Sequence, residues 1–386
     1  LVAQRRPSPS RRGAGLVTAG VAARRCALEV LERIDTGGAY ANRVLPGALE
    51  GAGLDERDRA LVTELVYGVT RRRRALDHRL EPYLMHPPPP PARAALRLGV
   101  YQLEEMGLAP HAAVATTVGA VPRRWRGLVN AVLRRVAEAP EPEWPDDATR
   151  LSYPDWIVDR LSADLGADRA RRALEVMNLP AGVHRRADGY VQDPSSRLVV
   201  DAVPLEPGDR VLDLCAAPGG KATGLAARGA SVVATDIRPG RARLIVDNLA
   251  RSDSLDVTVA VADGTRPPFA PESFDAVLVD APCSGLGALR RRPDARWRIA
   301  ESDVASLARL QLDLLAAARR LVAPGGYLVY SVCTLTRAET VEVAEVAGEG
   351  LEVVGVEAPW EPWGTGGVLL PAPGHDGMAL FRWRRL

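Results

Sequence analysis

Arg210-Val211-Leu212-Asp213-Leu214-Cys215-Ala216-Ala217-Pro218-Gly219-Gly220-Lys221 is the stretch on which the fold turns. It opens as a short apolar run with the character of a buried strand and continues as a glycine-rich turn into a helix. Glycines there let the backbone approach a ligand closely. The helix start offers free N–H groups to an anionic or carboxylate-bearing group. The pattern is neither G-x-G-x-x-G nor a P-loop, and a glycine turn after a strand alone fits any nucleotide-binding fold.

Working outward, Ser231–Thr235, Val257–Val261, Phe274–Val279 and Gly326–Tyr330 are further strand candidates with helical segments between most of them. That alternation predicts an α/β, Rossmann-like, doubly wound and mostly parallel sheet. Ligands of such sheets bind at the carboxyl ends of the strands. The second strand leads into Asp236, where a carboxylate can accept both hydroxyls of a ribose, and the third into Asp263-Gly264, placed to meet an adenine edge. Helix capping is the competing explanation for either acid. Two acids after successive strands beside this loop favour an adenosyl ligand.

Asp280-Ala281-Pro282-Cys283-Ser284-Gly285 ends the fourth strand and Ser331-Val332-Cys333-Thr334 the fifth, so two cysteines are expected over one face of the sheet, beside a methyl donor. A cysteine is more often a buried structural residue, the reading for Cys26 and a competing one for Cys215. The strand-end placement favours reactivity for Cys283 and Cys333. C5 of cytosine is a poor nucleophile. A thiolate that adds to C6 while an acid protonates N3 makes C5 enamine-like and able to take a methyl group. This covalent route needs a lowered thiol pKa and a carboxyl group poised to donate.

The N-terminal part is helical in pattern from Ala22 to about residue 138, with apolar residues at three-to-four spacing: Leu61, Leu65, Val66, Val69; Leu96, Leu98, Val100, Leu103, Met106; Leu128, Val129, Val132, Leu133, Val136. The prolines Pro87–Pro91 break this domain, Pro91 being suited to open a helix, and Pro140–Pro145 read as a linker. Residues 150–182 read as two short helices. A chain of 386 residues with 47% apolar and 25% charged residues has room for two or three full cores. A net charge of +2 excludes a general polycation. Basic charge is local: Arg5, Arg6, Arg11 and Arg12, then Arg71–Arg74, then Arg290, Arg291, Arg292, Arg296 and Arg298. The last two groups are expected to help grip phosphates, with a solvated face as the alternative. Cysteine spacing argues against zinc and disulfides. No apolar run reaches membrane-span length, and the start carries no secretory signal. A cytoplasmic protein without metal or membrane association is expected.

The set Cys215–Lys221, Asp280–Gly285 and Val332-Cys333-Thr334, with Arg291-Arg292-Pro293-Asp294 and Trp297, and Gln192-Asp193-Pro194 with Ser196, resembles the NOL1/NOP2/Sun family of RNA cytosine-C5 methyltransferases. Ala23-Arg24-Arg25, Leu65–Arg71, Leu98–Leu103, Pro110–Ala113 and Gly127–Arg134 resemble the NusB-type helical RNA-binding domain fused to its RsmB/Sun branch. The resemblance implies S-adenosyl-L-methionine as cofactor, held by Cys215, Ala216, Ala217, Pro218, Gly219, Gly220, Lys221, Asp236, Asp263 and Asp280. It implies Cys333 as nucleophile, Cys283 in product release and Asp280 on the base. The implied partner is 16S rRNA, naked or in a small-subunit assembly intermediate, met by a monomer. The expected domains are a disordered basic leader (1–18), the NusB-like domain (19–140), linker helices with a truncated RNA-binding subdomain (141–190), and the catalytic domain (191–386). Of the small α/β RNA-binding subdomain that family members carry, only residues 183–191 remain, and residues 118–125 are shortened. A vestigial, non-catalytic RNA-binding factor should have lost the loop, an acid or a cysteine, and all are present.

Overall fold

The computed structural model describes residues 10–250 and 255–386. Residues 1–9, half of the expected leader, lie outside the described residues. The other half does not stay irregular: a helix runs from Ser10 to Asp35. The chain divides into two compact units. One runs to Asp155 and takes in Arg292–Trp297; the other holds Trp156–Arg291 and Arg298–Leu386. The helices Asp155–Leu165 and Ala167–Val176, expected as linker, therefore go with the catalytic half.

The first unit is all-helical, as expected. After Ser10–Asp35 come Ala41–Gly51, Glu56–Arg71, Arg73–Leu80, Pro90–Val100, Pro110–Ala120, Arg123–Glu138 and Asp147–Leu151. Asp55 caps the third by accepting from the Asp58 N–H. Prolines occupy the first turn of Pro90–Val100, one residue earlier than expected. Leu65, Val66, Val69, Leu96, Leu98, Val100, Val129, Val132, Leu133 and Val136 are all buried. Leu61, Leu103 and Met106 are half-buried, and Leu128 is 37% exposed because it falls on the solvent side of its helix. Motif residues of this half serve packing. A Cβ on Gly68 would sit 2.1 Å from Tyr101 Cζ, so only glycine lets these helices approach. Arg24 Nε donates to Gln102 (2.6 Å), which donates on to Thr117 (2.8 Å), all buried.

The second unit is built on one sheet, with β1 Arg210–Asp213, β2 Ser231–Asp236, β3 Val257–Val261, β4 Phe274–Asp280, β5 Val322–Val332, β6 Glu352–Val353, β7 Glu361–Trp363, β8 Gly366–Leu369 and β9 Met378–Arg384. Its order is β3-β2-β1-β4-β5-β9-β8-β7, with β6 also on β9. The first five strands run parallel, as predicted. The antiparallel extension β6–β9 goes beyond what the pattern predicts. Register places the site: Asp213 pairs with Ala234 and Leu278, Asp236 with Val261, and Asp280 with Ser331. The carboxyl ends of all five parallel strands therefore lie along one edge.

Candidate active site

The loop after β1 is shaped for close approach. Gly219 has φ +104°, which an L side chain rarely adopts, and a Cβ on Gly220 would meet Tyr190 Cε1 at 2.9 Å. Helix Gly220–Ala227 starts there. Ala216 and Ala217 line the loop, its Ala216 N–H bonded to Thr235 O (2.8 Å), and Pro218 O accepts from Asn248 (2.8 Å). Asp236 ends β2, buried, accepting from the Arg238 N–H (3.0 Å) and from Arg241 Nε (2.8 Å). Asp263 is exposed and closes a turn onto Thr265 N–H and Oγ1 (2.9 and 2.8 Å). Both acids thus stand at strand ends, and each closes a turn onto the N–H two residues on without being the N-cap of a helix. Each keeps lone pairs for a further donor.

Three charged groups converge behind the loop. Lys221 Nζ donates to Asp280 Oδ2 at 2.6 Å, and Ser331 Oγ donates to Asp280 Oδ1 at 2.8 Å. Lys221 is thereby turned toward β4. Burial opposes the Lys221 charge, but Asp280 and Asp213 outweigh it and raise its pKa. Asp213, to which the motif pattern assigns no role, is fully buried with neither carboxyl oxygen in hydrogen-bond geometry. Burial, then the Asp280 charge, push its pKa up to about 7, with Lys221 and nearby amides pulling the other way. A carboxyl raised in the fold contributes stability that is full below its unfolded pKa near 4 and lost as pH rises to about 7. Unfolding free energy of the cofactor-free protein should therefore fall by up to about 4 kcal/mol over that range from this group. In Asp213→Asn that slope should flatten. Equal slopes in denaturant titrations from pH 4.5 to 8 would remove Asp213 as the cause.

The cysteines meet as expected. Cys283 and Cys333 follow the adjacent ends of β4 and β5, and their sulfurs are 3.4 Å apart. The Cys283 pKa is raised, first by the hydrogen bond to Cys333 and then by burial. Cys215 is half-buried with its pKa raised chiefly by desolvation. Cys26 is buried in the helical unit against Ala48 O. The sequence pattern also gives no sign of Glu339 and Gln311, both buried beneath the cysteine loops. An isolated Glu and Gln carry no spacing that could have marked them.

The arginine expectation is corrected for part of the two clusters. Arg290, buried, and Arg291, half-buried, form a quartet with Asp193 and Asp376. Burial resists the Asp193 charge, but bonds from Ser195, the Asp376 N–H and Arg291 hold its pKa at about 2. Arg296 is fully buried, 3.9 Å over the Tyr153 ring, and Arg71 is buried as well. Arg72 pairs with Glu105 and Arg74 with Asp155. Arg71, Arg290 and Arg296, buried and committed, cannot face phosphate, whereas Arg292 is exposed and Arg73 half-buried. Among the described residues no cluster of His, Cys, Asp or Glu could hold a metal, and no helix is long and apolar enough to cross a membrane.

A family model described as 16S rRNA methyltransferase RsmB/F matches residues 201–355, and the NusB family model matches 21–138. Ribosomal RNA small subunit methyltransferase B of Thermus thermophilus is 40% identical, over 82% of this chain and 84% of its own. The chain belongs to the RsmB/F family. The namesake protein of Xanthomonas campestris is 35% identical over 83% of this chain and 86% of its own. The crystal structure of PH0851 shares the fold, with TM-score 0.77 at 21% identity over 95% of this chain and 98% of its own. As an RsmB/F-type enzyme the chain is an S-adenosyl-L-methionine-dependent rRNA methyltransferase. Its site fits that cofactor: Asp213 is an orphaned buried acceptor suited to an ammonium, and the Gly219–Gly220 cradle has no room for a Cβ.

Proposed function

We propose that this RsmB/F-type enzyme methylates C5 of a cytosine in 16S rRNA through a covalent bond from Cys333 to C6, with Cys283 serving release and Asp280 engaging the base. The observation that carries this is the thiol pair, 3.4 Å apart, at the ends of the two strands flanking the Lys221–Asp280 ion pair. Two adjacent thiols are more than a fold needs there, and they suit a reaction that makes and breaks one carbon–sulfur bond.

The loop Cys215–Lys221, Asp213, Asp236 and Asp263 would hold the cofactor, which when bound supplies an electrophilic methyl on a sulfonium. Cys333 Sγ adds to C6 as a thiolate while N3 takes a proton through Asp280, drawn from the Lys221 ammonium. C5 gains enamine character and accepts the methyl. The C5 proton is then lost to solvent, the Cys333 thiolate leaves, and the N3 proton returns through Asp280 to Lys221, which restores the ring. Cys283 keeps its own proton and can donate it to the departing sulfur. Bisulfite mapping of 16S rRNA from cells with and without the gene tests the reading. A protected cytosine should vanish with the gene, and an unchanged map would reject it.

RNA contact is extended to helix Arg123–Glu138, where Arg123, Arg124, Arg126, Arg134 and Arg135 are exposed. Replacing Arg123, Arg124, Arg134 and Arg135 by Gln should weaken RNA binding. It should also reduce the slope of log affinity against log salt by roughly 0.7–0.9 for each phosphate no longer neutralised. Filter binding at several salt concentrations reads both, and an unchanged slope would return these arginines to a solvated face.

A further inference from the structure

We infer that Glu339 is a positioning residue whose buried carboxylate clamps together the loops carrying Cys283 and Cys333, an inference that rests on the proposed function. Glu339 ends the short turn Arg337–Glu339 and has no exposed surface. Its Oε1 accepts from the Ser284 N–H (2.8 Å) and from Gln311 Nε2 (3.2 Å). Its Oε2 accepts from Ser284 Oγ (2.5 Å), Thr336 Oγ1 (3.0 Å) and Thr334 Oγ1 (3.3 Å). Ser284 and Thr334 are themselves 2.7 Å apart. Each follows one of the two cysteines directly in sequence.

Both sides of Cys283 are held. Gln311, from helix Glu301–Leu321, donates to Pro282 O at 2.9 Å, while the next residue after Cys283 gives its N–H and hydroxyl to Glu339. Cys333 is tied on one side by Thr334 and through its own carbonyl by the Gly287 N–H (2.9 Å). Only an acceptor-only carboxylate can serve donors converging from three separate segments, with about four lone-pair sites shared among them. An apolar staple of the same volume would serve stability as well or better, since a buried charge carries a desolvation cost. What the carboxylate adds is fixed distance between two loops that must pass a bond from carbon to sulfur and back. Its charge also joins the Cys333 hydrogen bond and burial in keeping the Cys283 proton in place.

The test is Glu339→Gln in the full chain, which keeps the volume but presents N–H groups where donors converge. Two readouts are taken. The first is the equilibrium between the Cys283–Cys333 dithiol and its disulfide in a glutathione buffer, where glutathione disulfide is reduced to two glutathiones. The ratio of disulfide to dithiol should fall roughly tenfold as the sulfurs lose their fixed approach. The second is steady-state methylation, where kcat should fall about 10²-fold while cofactor affinity and KM for RNA stay within about threefold. Wild-type values in both would overturn the clamp, as would a loss confined to cofactor affinity. Should Glu339→Gln give no cooperative unfolding transition, Gln311→Leu and Thr336→Val each remove one donor and decide the matter. Both are expected to move the two readouts in the same direction by smaller factors, and unchanged readouts in both would overturn the proposal. The thiol equilibrium needs no RNA. A wild type that forms no 5-methylcytosine would therefore reject the proposed function and leave the clamp to be judged on its own.

Discussion

Cys333→Ala is expected to abolish methylation and to form no covalent RNA adduct, whereas Cys283→Ala is expected to trap one. The asymmetry follows from the sulfur pair. The bond to Cys333 and burial raise the Cys283 pKa, and the proposed roles put the shared proton on Cys283. At 3.4 Å that S–H can point at the Cys333 sulfur and stabilise negative charge on it, both before attack and as it leaves. Removing Cys333 removes the attacking atom itself. Turnover should drop by several orders of magnitude, since the remaining route asks an unactivated C5 to take the methyl. Removing Cys283 still allows attack and methyl transfer. The departing thiolate then lacks its donor, so breakdown slows and a denaturant-resistant complex accumulates. The Cys283→Ala, Cys333→Ala double variant should lose that complex. Denaturing gels with labelled RNA and cofactor read all three proteins. An adduct that survives in Cys333→Ala and disappears in Cys283→Ala would exchange the two roles.

The parts of this site that are legible in the sequence are those fixed by short-range pattern. A run such as Arg210–Asp213 followed by glycines reads as a strand, a turn and a helix start from a dozen residues. Parallel pairing then makes Asp280 and Ser331 neighbours, so the Cys283–Cys333 meeting can be read from two strand ends. What cannot be read is anything decided by a distant partner. Arg290 and Arg291 look like a basic surface until Asp193, 97 or 98 residues away, is found beside them. Arg296 looks equally free until Tyr153 covers it. Strands β6 to β8 have two to four residues each, with Pro in β7 and Gly in β8, so no period of two can emerge. Glu339 and Gln311 are hidden for a related reason. Their importance is the number of donors or acceptors they meet, a property of tertiary structure with no local composition to announce it.

Asp280→Asn should slow adduct formation by about 10²–10⁴-fold, the usual worth of a positioned proton donor, while the protein stays folded. The fold is protected because the amide oxygen still accepts from one of Lys221 and Ser331, and the Ser331 hydroxyl can turn to accept from the new N–H₂. The chemistry is not protected. An amide cannot relay a proton from Lys221 to N3, so C6 would have to take the thiolate without any charge being drawn off the ring. The electrostatics change in a readable way as well. With the Asp280 charge gone, Lys221 keeps only the weaker Asp213 and Cys333 contributions against burial, so its pKa should fall. Asp213 should move down too, because Asp280 is one of the causes that hold it up. Residual adduct formation in Asp280→Asn should therefore no longer follow the Lys221 titration, because the relay to N3 is gone. Both predictions are best read in the Cys283→Ala background, where the adduct persists long enough to be timed in a single turnover. An Asp280→Asn protein that forms adduct at the parental rate, with the parental pH profile, would remove the Lys221–Asp280 pair from the proton path. Lys221 would then be left only its buried ion pair with Asp280.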